Sequence, residues 1–84
     1  MRPSQALKDI KGYAQANRIY YPPHARQRME ERHVRRGDVR EALCTATACR
    51  AEAEDRWRVR GGRDFDGDDL EVVVVIDDGV VVVT

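Results

Sequence analysis

Asp38-Val-Arg-Glu-Ala-Leu-Cys-Thr-Ala-Thr47 runs into Ala48-Cys-Arg-Ala-Glu-Ala-Glu-Asp-Arg-Trp57-Arg-Val-Arg60, and across that junction the spacing of apolar residues changes. Before it, Val39, Ala42, Leu43 and Ala46 stand at i, i+3, i+4 and i+7, the spacing that lines one face of a helix. Asp38 followed by Glu41 predicts a capping box, with the acid at N-cap and the Glu at N3. After Thr47 the period is two: Ala51 and Ala53, then Trp57 and Val59 alternating with Arg56, Arg58 and Arg60, then Leu70 to Ile76, then Val80 to Val83. Glu54-Asp55, Asp66-Gly67 and Asp78-Gly79 mark the connections, and the last two are Asp-Gly pairs that suit tight hairpins. Helices first and strands second predict an α+β fold whose C-terminal half is an antiparallel four-stranded meander.

Toward the N-terminus, Pro3-Ser4 followed by Leu7, Ile10 and Ala14 predicts an N-cap and a first helix over about residues 5 to 16. Arg18-Ile-Tyr-Tyr21 is short, β-prone and stopped by Pro22-Pro23, which predicts a brief extra edge strand. Pro23 then suits the first position of a second helix with Ala25 and Met29 on its core face, ended by Arg35-Arg-Gly37. The expected architecture is about three N-terminal helices packed on the meander. Val72-Val-Val-Val-Ile76 is apolar on both faces, so it predicts a central strand covered by helices on one side and by something else on the other. Val80 to Val83 reads as a flat apolar edge, a liability that a homodimer or an inhibitor protein would cover.

With 84 residues and 42% apolar content, the chain makes one domain, residues 1–84, with a modest core. Its net charge is zero, yet residues 1–40 carry ten Lys/Arg against four Asp/Glu, and residues 41–84 carry five against eleven. The halves are therefore +6 and −6, and thirteen of the fifteen cations are Arg. That preference suits bidentate recognition of phosphate or carboxylate, although a GC-rich genome yields the same bias. No run of apolar residues is long enough to cross a bilayer, and Met1-Arg-Pro-Ser-Gln-Ala6 lacks the apolar stretch of a signal peptide, so a cytoplasmic protein is expected. Cys44 and Cys49 form no CxxC pair, and the chain has two His, so inert thiols and no metal are expected. Asp64-Phe-Asp-Gly-Asp-Asp69-Leu-Glu71 places its Gly too early for a calcium loop of the EF-hand kind and reads as a hairpin turn.

Chemistry concentrates in His24-Ala-Arg-Gln-Arg28-Met-Glu-Glu-Arg32-His33, where an imidazole and two guanidiniums stand at i, i+4 and i+8. On a helix they form one stripe, roughly 100° from the Ala25/Met29 face. Like charges four residues apart cost about 0.2–0.5 kcal/mol, which an anionic ligand would offset. Arg58 and Arg60, on the sheet face opposite Trp57 and Val59, are second-side phosphate candidates. Of Tyr20 and Tyr21, which alternate by face, one joins the core and the other can stack on a base; Tyr21 is assigned to the binding set, with Thr84 as a hydrogen-bond donor. The bland alternatives are that His24 caps its helix, that Arg28 and Arg32 pair with Glu30, Glu31 or the acids of the sheet, and that Arg58 and Arg60 line a solvated face. His33 reads as a helix C-terminal residue favoured by the dipole, and Trp57 as core.

His24-Ala-x-x-Arg28-Met-x-x-Arg32-x-Val34, Asp38-Val-Arg-Glu-Ala-Leu43, Trp57-Arg-Val-Arg-Gly61, Asp66-Gly67, and Val72 to Ile76 leading to Val82-Val-Thr84 together resemble domain-of-unknown-function family 4258 over about residues 4 to 84. That family is similar to the RelE-like and MqsR-like ribonuclease toxins of bacterial toxin–antitoxin modules, within the barnase and colicin group of small α+β ribonucleases. The resemblance implies a RelE/barnase-like arrangement, cleavage of RNA without metal or other cofactor, and an antitoxin protein as partner. The lysine-bearing strand of the MqsR-like toxins has no counterpart here, since Lys8 and Lys11 both fall in the first helix. What the family pattern carries over is His24, Arg28 and Arg32.

Metal-free RNA cleavage needs a base for the 2′-hydroxyl proton, cations for the phosphorane charge and an acid for the leaving 5′-oxygen. His24 is the candidate base or acid, with Arg28 and Arg32 as phosphate clamps. The expected function is a small metal-independent endoribonuclease of the toxin kind. The alternatives are a catalytically inactive RNA-binding or protein-interaction module of the same fold, and a domain of a larger polymorphic toxin.

Overall fold

Pro3 opens the first helix, α1 (Pro3–Gln15), at N1, where its missing N–H and fixed φ are compatible with helix entry. The N-cap is Arg2, which gives no side-chain cap, so Ser4 lies inside the helix rather than at its cap as expected. Ala6, Ile10 and Ala14 recur every fourth residue and are buried. The computed structural model describes residues 1–63, 67 and 69–83, residue 63 through its backbone alone. Among these residues the chain continues through β1 (Ile19–Tyr20), α2 (Pro23–Glu31), α3 (Arg36–Cys44), β2 (Ala48–Glu52), β3 (Arg56–Arg63), β4 (Asp69–Ile76) and β5 (Val80–Val82).

α2 begins with Pro23 at N1 and buries Ala25 and Met29, as expected from their spacing. It ends at Glu31, ahead of the predicted stop at Arg35-Arg-Gly37. His33 has φ +57, its N–H donates to Glu30 O at 3.1 Å, and Val34 N–H donates to Met29 O at 2.8 Å, the paired bonds of a Schellman motif. α3 starts at Arg36, so Asp38 stands at N3 instead of N-cap; its Oδ2 accepts from the Arg35 N–H at 3.0 Å. The helical spacing survives that change of frame: Val39, Ala42, Leu43 and Ala46 are all buried.

The sheet order is β1-β5-β4-β3-β2, with β2 to β5 an antiparallel meander and β1 parallel to β5. The extra short strand is therefore present, and it overturns the reading of Val80 to Val83 as an open edge. Ile19 pairs with Val80 and Tyr20 with Val81, while Val80 and Val82 are buried. Gly61 and Gly62 sit at a register shift between Arg60 and Arg63 in the β3–β4 ladder. A Cβ at Gly61 would lie 2.6 Å from both Ala42 O and Ala46 Cα, so the bare backbone lets β3 seat against α3. Trp57, Val59, Val72, Val74, Val80 and Val82 complete the core with the helices. Val73, on the other face opposite Arg58, is also only 3% exposed, while Val75 is half-buried. The Glu54-Asp55 turn has φ of 64° and 60°, the pair of positive values a type I′ turn requires. Asp78-Gly79 lies in a three-residue connection, 77–79, and the Asp66-Gly67 turn and the acidic loop around it fall largely outside the described residues.

Candidate nucleic-acid interface

His24, Arg28 and Arg32 are all exposed, and the helical repeat places them about one turn, 6 Å, apart. Burial of Ala25 and Met29 fixes the helix rotation that turns this stripe outward. Among the described residues none of the three makes an ion pair or side-chain hydrogen bond, so the repulsion along the stripe has no protein anion to relieve it. Among the described residues Glu30 and Glu31, the nearest acids in sequence, make no ion pair.

Arg58 and Arg60 stand differently. The register that pairs Arg50 with Arg58 and Arg58 with Val73 puts carboxylates on the same outer face. Arg58 donates through Nε to Glu52 at 2.5 Å and through Nη1 to Glu71 at 3.3 Å, and Arg60 Nη2 meets Asp69 at 3.2 Å. The hydrogen bond and charge of Arg58 hold the Glu52 carboxyl below its usual range, and the same bond raises Arg58 further. These arginines thus carry charge already answered by the sheet.

The two sets meet at the C-terminal end of α2. Arg32, Val34, Arg58, Arg60, Asp69, Leu70 and Glu71 line a shallow cleft of about 450 Å³. Adjoining it is an apolar niche of about 30 Å³ with Met29, Val34, Val39, Leu70, Val72 and Val82 as walls and Arg28 and Arg32 at the rim. His24 lines neither, since it occupies the opposite end of α2.

Tyr21 does not present a free ring. Its hydroxyl donates to Arg36 O at 3.1 Å, the Arg36 guanidinium lies 5.3 Å from its ring centroid, and burial pushes the phenol up against the opposing pull of Arg36 and Arg40. The exposed ring is that of Tyr20, at 61%. Thr84 lies outside the described residues. Among the described residues no three His, Cys, Asp or Glu gather as a metal site. Cys44 and Cys49 are free and half-buried, and burial raises the Cys49 thiol, whose Sγ sits 3.1 Å from Pro3 O. No helix among the described residues is long and apolar enough to cross a membrane.

Two residues escaped sequence reading. Arg40 donates through Nε to Ala14 O and through Nη2 to Gln15 O, at 3.1 and 3.2 Å, closing the C-terminus of α1 from α3. Glu71, between the clefts, is one of many acids in the sequence, and only the strand register distinguishes it.

Compared with known protein families, residues 21–84 match the model of a domain of unknown function, DUF4258. The chain belongs to this family. The matched DUF4258 segment starts at Tyr21, so α1 and β1 precede it, a shorter span than the expected 4 to 84. No curated protein and no solved structure matches the chain.

Proposed function

We propose that this DUF4258 domain binds RNA along α2 and cleaves it without metal, as a small endoribonuclease resembling the RelE-like and MqsR-like toxins and sharing their RelE/barnase-like arrangement. The observation that carries this reading is the exposed His24/Arg28/Arg32 stripe, three successive turns with no protein anion among the described residues. His24 takes the 2′-hydroxyl proton, and the 2′-oxygen attacks the neighbouring phosphorus. Arg28, one turn away, holds the phosphorane charge, and solvent protonates the departing 5′-oxygen. The products are a 2′,3′-cyclic phosphate and a 5′-hydroxyl. Arg32 takes an adjacent phosphate, and an antitoxin protein that covers this basic face would silence the domain in the cytoplasm.

A second reading is RNA or protein binding without cleavage. Its support is that no titratable partner orients His24 among the described residues, whereas an efficient base usually has one. Incubating single-stranded RNA with the purified chain and with His24→Ala separates the two. Cleavage that leaves 5′-hydroxyl ends, vanishing in His24→Ala while RNA affinity stays within about twofold, supports the enzyme. Binding with no new ends in either protein supports the second reading.

A further inference from the structure

The sheet has two edges. One is β1, two residues long; the other is β2, whose five residues pair with β3 on one side and, among the described residues, with no strand on the other. The ladders fix which of its backbone groups are open. In an antiparallel sheet each residue aims its N–H and C=O at one neighbouring strand, and the next residue aims them at the other. Val83 N–H donates to Val73 O at 2.7 Å, so Val73 is aimed at β5, and Arg58 opposite it is aimed away from β4, at β2. Arg58 pairs with Arg50, so Arg50 is aimed at β3, and Cys49 and Ala51 on either side of it are aimed at the open edge. Among the described residues nothing bonds to the N–H or C=O of either one there.

Natural sheets blunt such an edge with a proline, a lysine, a bulge or an inward-pointing charge. β2 reads Ala-Cys-Arg-Ala-Glu, and its pairing with β3 runs through all five residues without a register shift. Its charges are on the outer face: Arg50, exposed and without an ion pair or side-chain hydrogen bond among the described residues, and Glu52 two residues on. We propose that β2 pairs antiparallel with β2 of a second copy of this chain, with Ala51 on the two-fold axis, joining the two sheets edge to edge. Charge selects this occupant and this register. Arg50 of each copy then stands opposite Glu52 of the other, twice by symmetry, and Glu52 lies between Arg58 of its own chain and Arg50 of the partner. Ala51 meets its own symmetry mate and exchanges both backbone hydrogen bonds with it, and Cys49 stands opposite Ala53. On the helix-facing side the seam thus carries no side chain larger than cysteine. Self-pairing centred on Arg50 would instead set two guanidiniums directly opposite one another. Nothing in this pairing depends on RNA cleavage.

Sedimentation equilibrium of the full chain, from about 5 to about 500 μM, is the test. The expected result is a monomer–dimer equilibrium in the wild type, weakened at least about tenfold in two variants. Ala51→Pro removes a donor aimed at the partner and leaves the β2–β3 ladder whole. Arg50→Glu, at an exposed position, sets glutamate opposite glutamate. Glu52→Arg alone should be weak for the mirrored reason, and an equimolar mixture of Arg50→Glu with Glu52→Arg should dimerise again, because each chain then meets its opposite charge at both positions. A wild type that is monomeric throughout, a dimer unmoved by Ala51→Pro and Arg50→Glu, or a mixture no tighter than its two components would overturn the proposal.

Discussion

His33 occupies the one position in the α2 terminus where the Schellman geometry demands a left-handed residue, with φ +57. A side chain there costs about 1–2 kcal/mol, and glycine gives back about 0.5–1 kcal/mol through its greater freedom when unfolded. His33→Gly should therefore stabilise the chain by about 0.5–1 kcal/mol, raising Tm by about 2–8 °C, whereas His33→Ala should give no such gain. Thermal unfolding followed by circular dichroism checks both. The sequence could not show this position because the apolar spacing of α2 runs out at Met29 and Arg35-Arg-Gly37 offers a more familiar stop. Asp38 was misplaced for a related reason: an acid near a helix start serves equally at N-cap or at N3, and only the Arg35 N–H it accepts from separates the two. Single-residue chemistry was read well where burial decides it, as at Ala25, Met29, Val39 and Leu43. It was read less well where a distant partner decides it, as with the Tyr21 hydroxyl on Arg36 and Arg40 on α1.

The junction between α3 and β3 rests on absent side chains. Gly61→Ala would drive a Cβ to within 2.6 Å of backbone atoms in α3, which cannot rotate away, and should cost about 1–3 kcal/mol or more. Gly12→Ala, in the interior of α1 with nothing within 4 Å, should instead stabilise by about 0.5–1 kcal/mol; urea titrations of the two variants read these opposite signs. On the other face of β3, the Glu52–Arg58–Glu71 cluster links stability to pH. The Glu52 carboxyl is depressed in the folded chain, so its contribution is present above the ordinary glutamate value of about 4.3 and disappears as pH falls through the lower folded value. Glu52→Gln should lower the urea midpoint at pH 7 and lose less than the wild type between pH 5 and pH 3. The four C-terminal strands were legible from alternation alone. The β1–β5 pairing was not, because a parallel contact between Ile19 and Val80 leaves no local pattern, and its absence from the sequence reading is what made β5 look like an edge.

Across the molecule, charge is segregated by whether it is answered. The acids of the C-terminal half neutralise Arg56, Arg58 and Arg60 on the sheet, whereas Arg28 and Arg32 make no ion pair among the described residues. Composition gave the two opposite halves but could not say which arginines each acid would satisfy, since that follows from strand register. The distinction predicts unequal roles for arginines that line the cleft and its adjoining niche. Each phosphate neutralised by a protein cation contributes about 0.7 to the slope of log affinity against log salt for single strands. Arg28→Ala and Arg32→Ala should each reduce that slope by about 0.7 when binding of single-stranded RNA is measured between 50 and 300 mM salt. Arg60→Ala should change it by less than half as much, because Asp69, 3.2 Å from its guanidinium, already supplies the anion. An equal loss on Arg60→Ala would mean that the Arg60–Asp69 pair opens to admit a phosphate, and the RNA surface would then extend from α2 onto the outer face of the sheet.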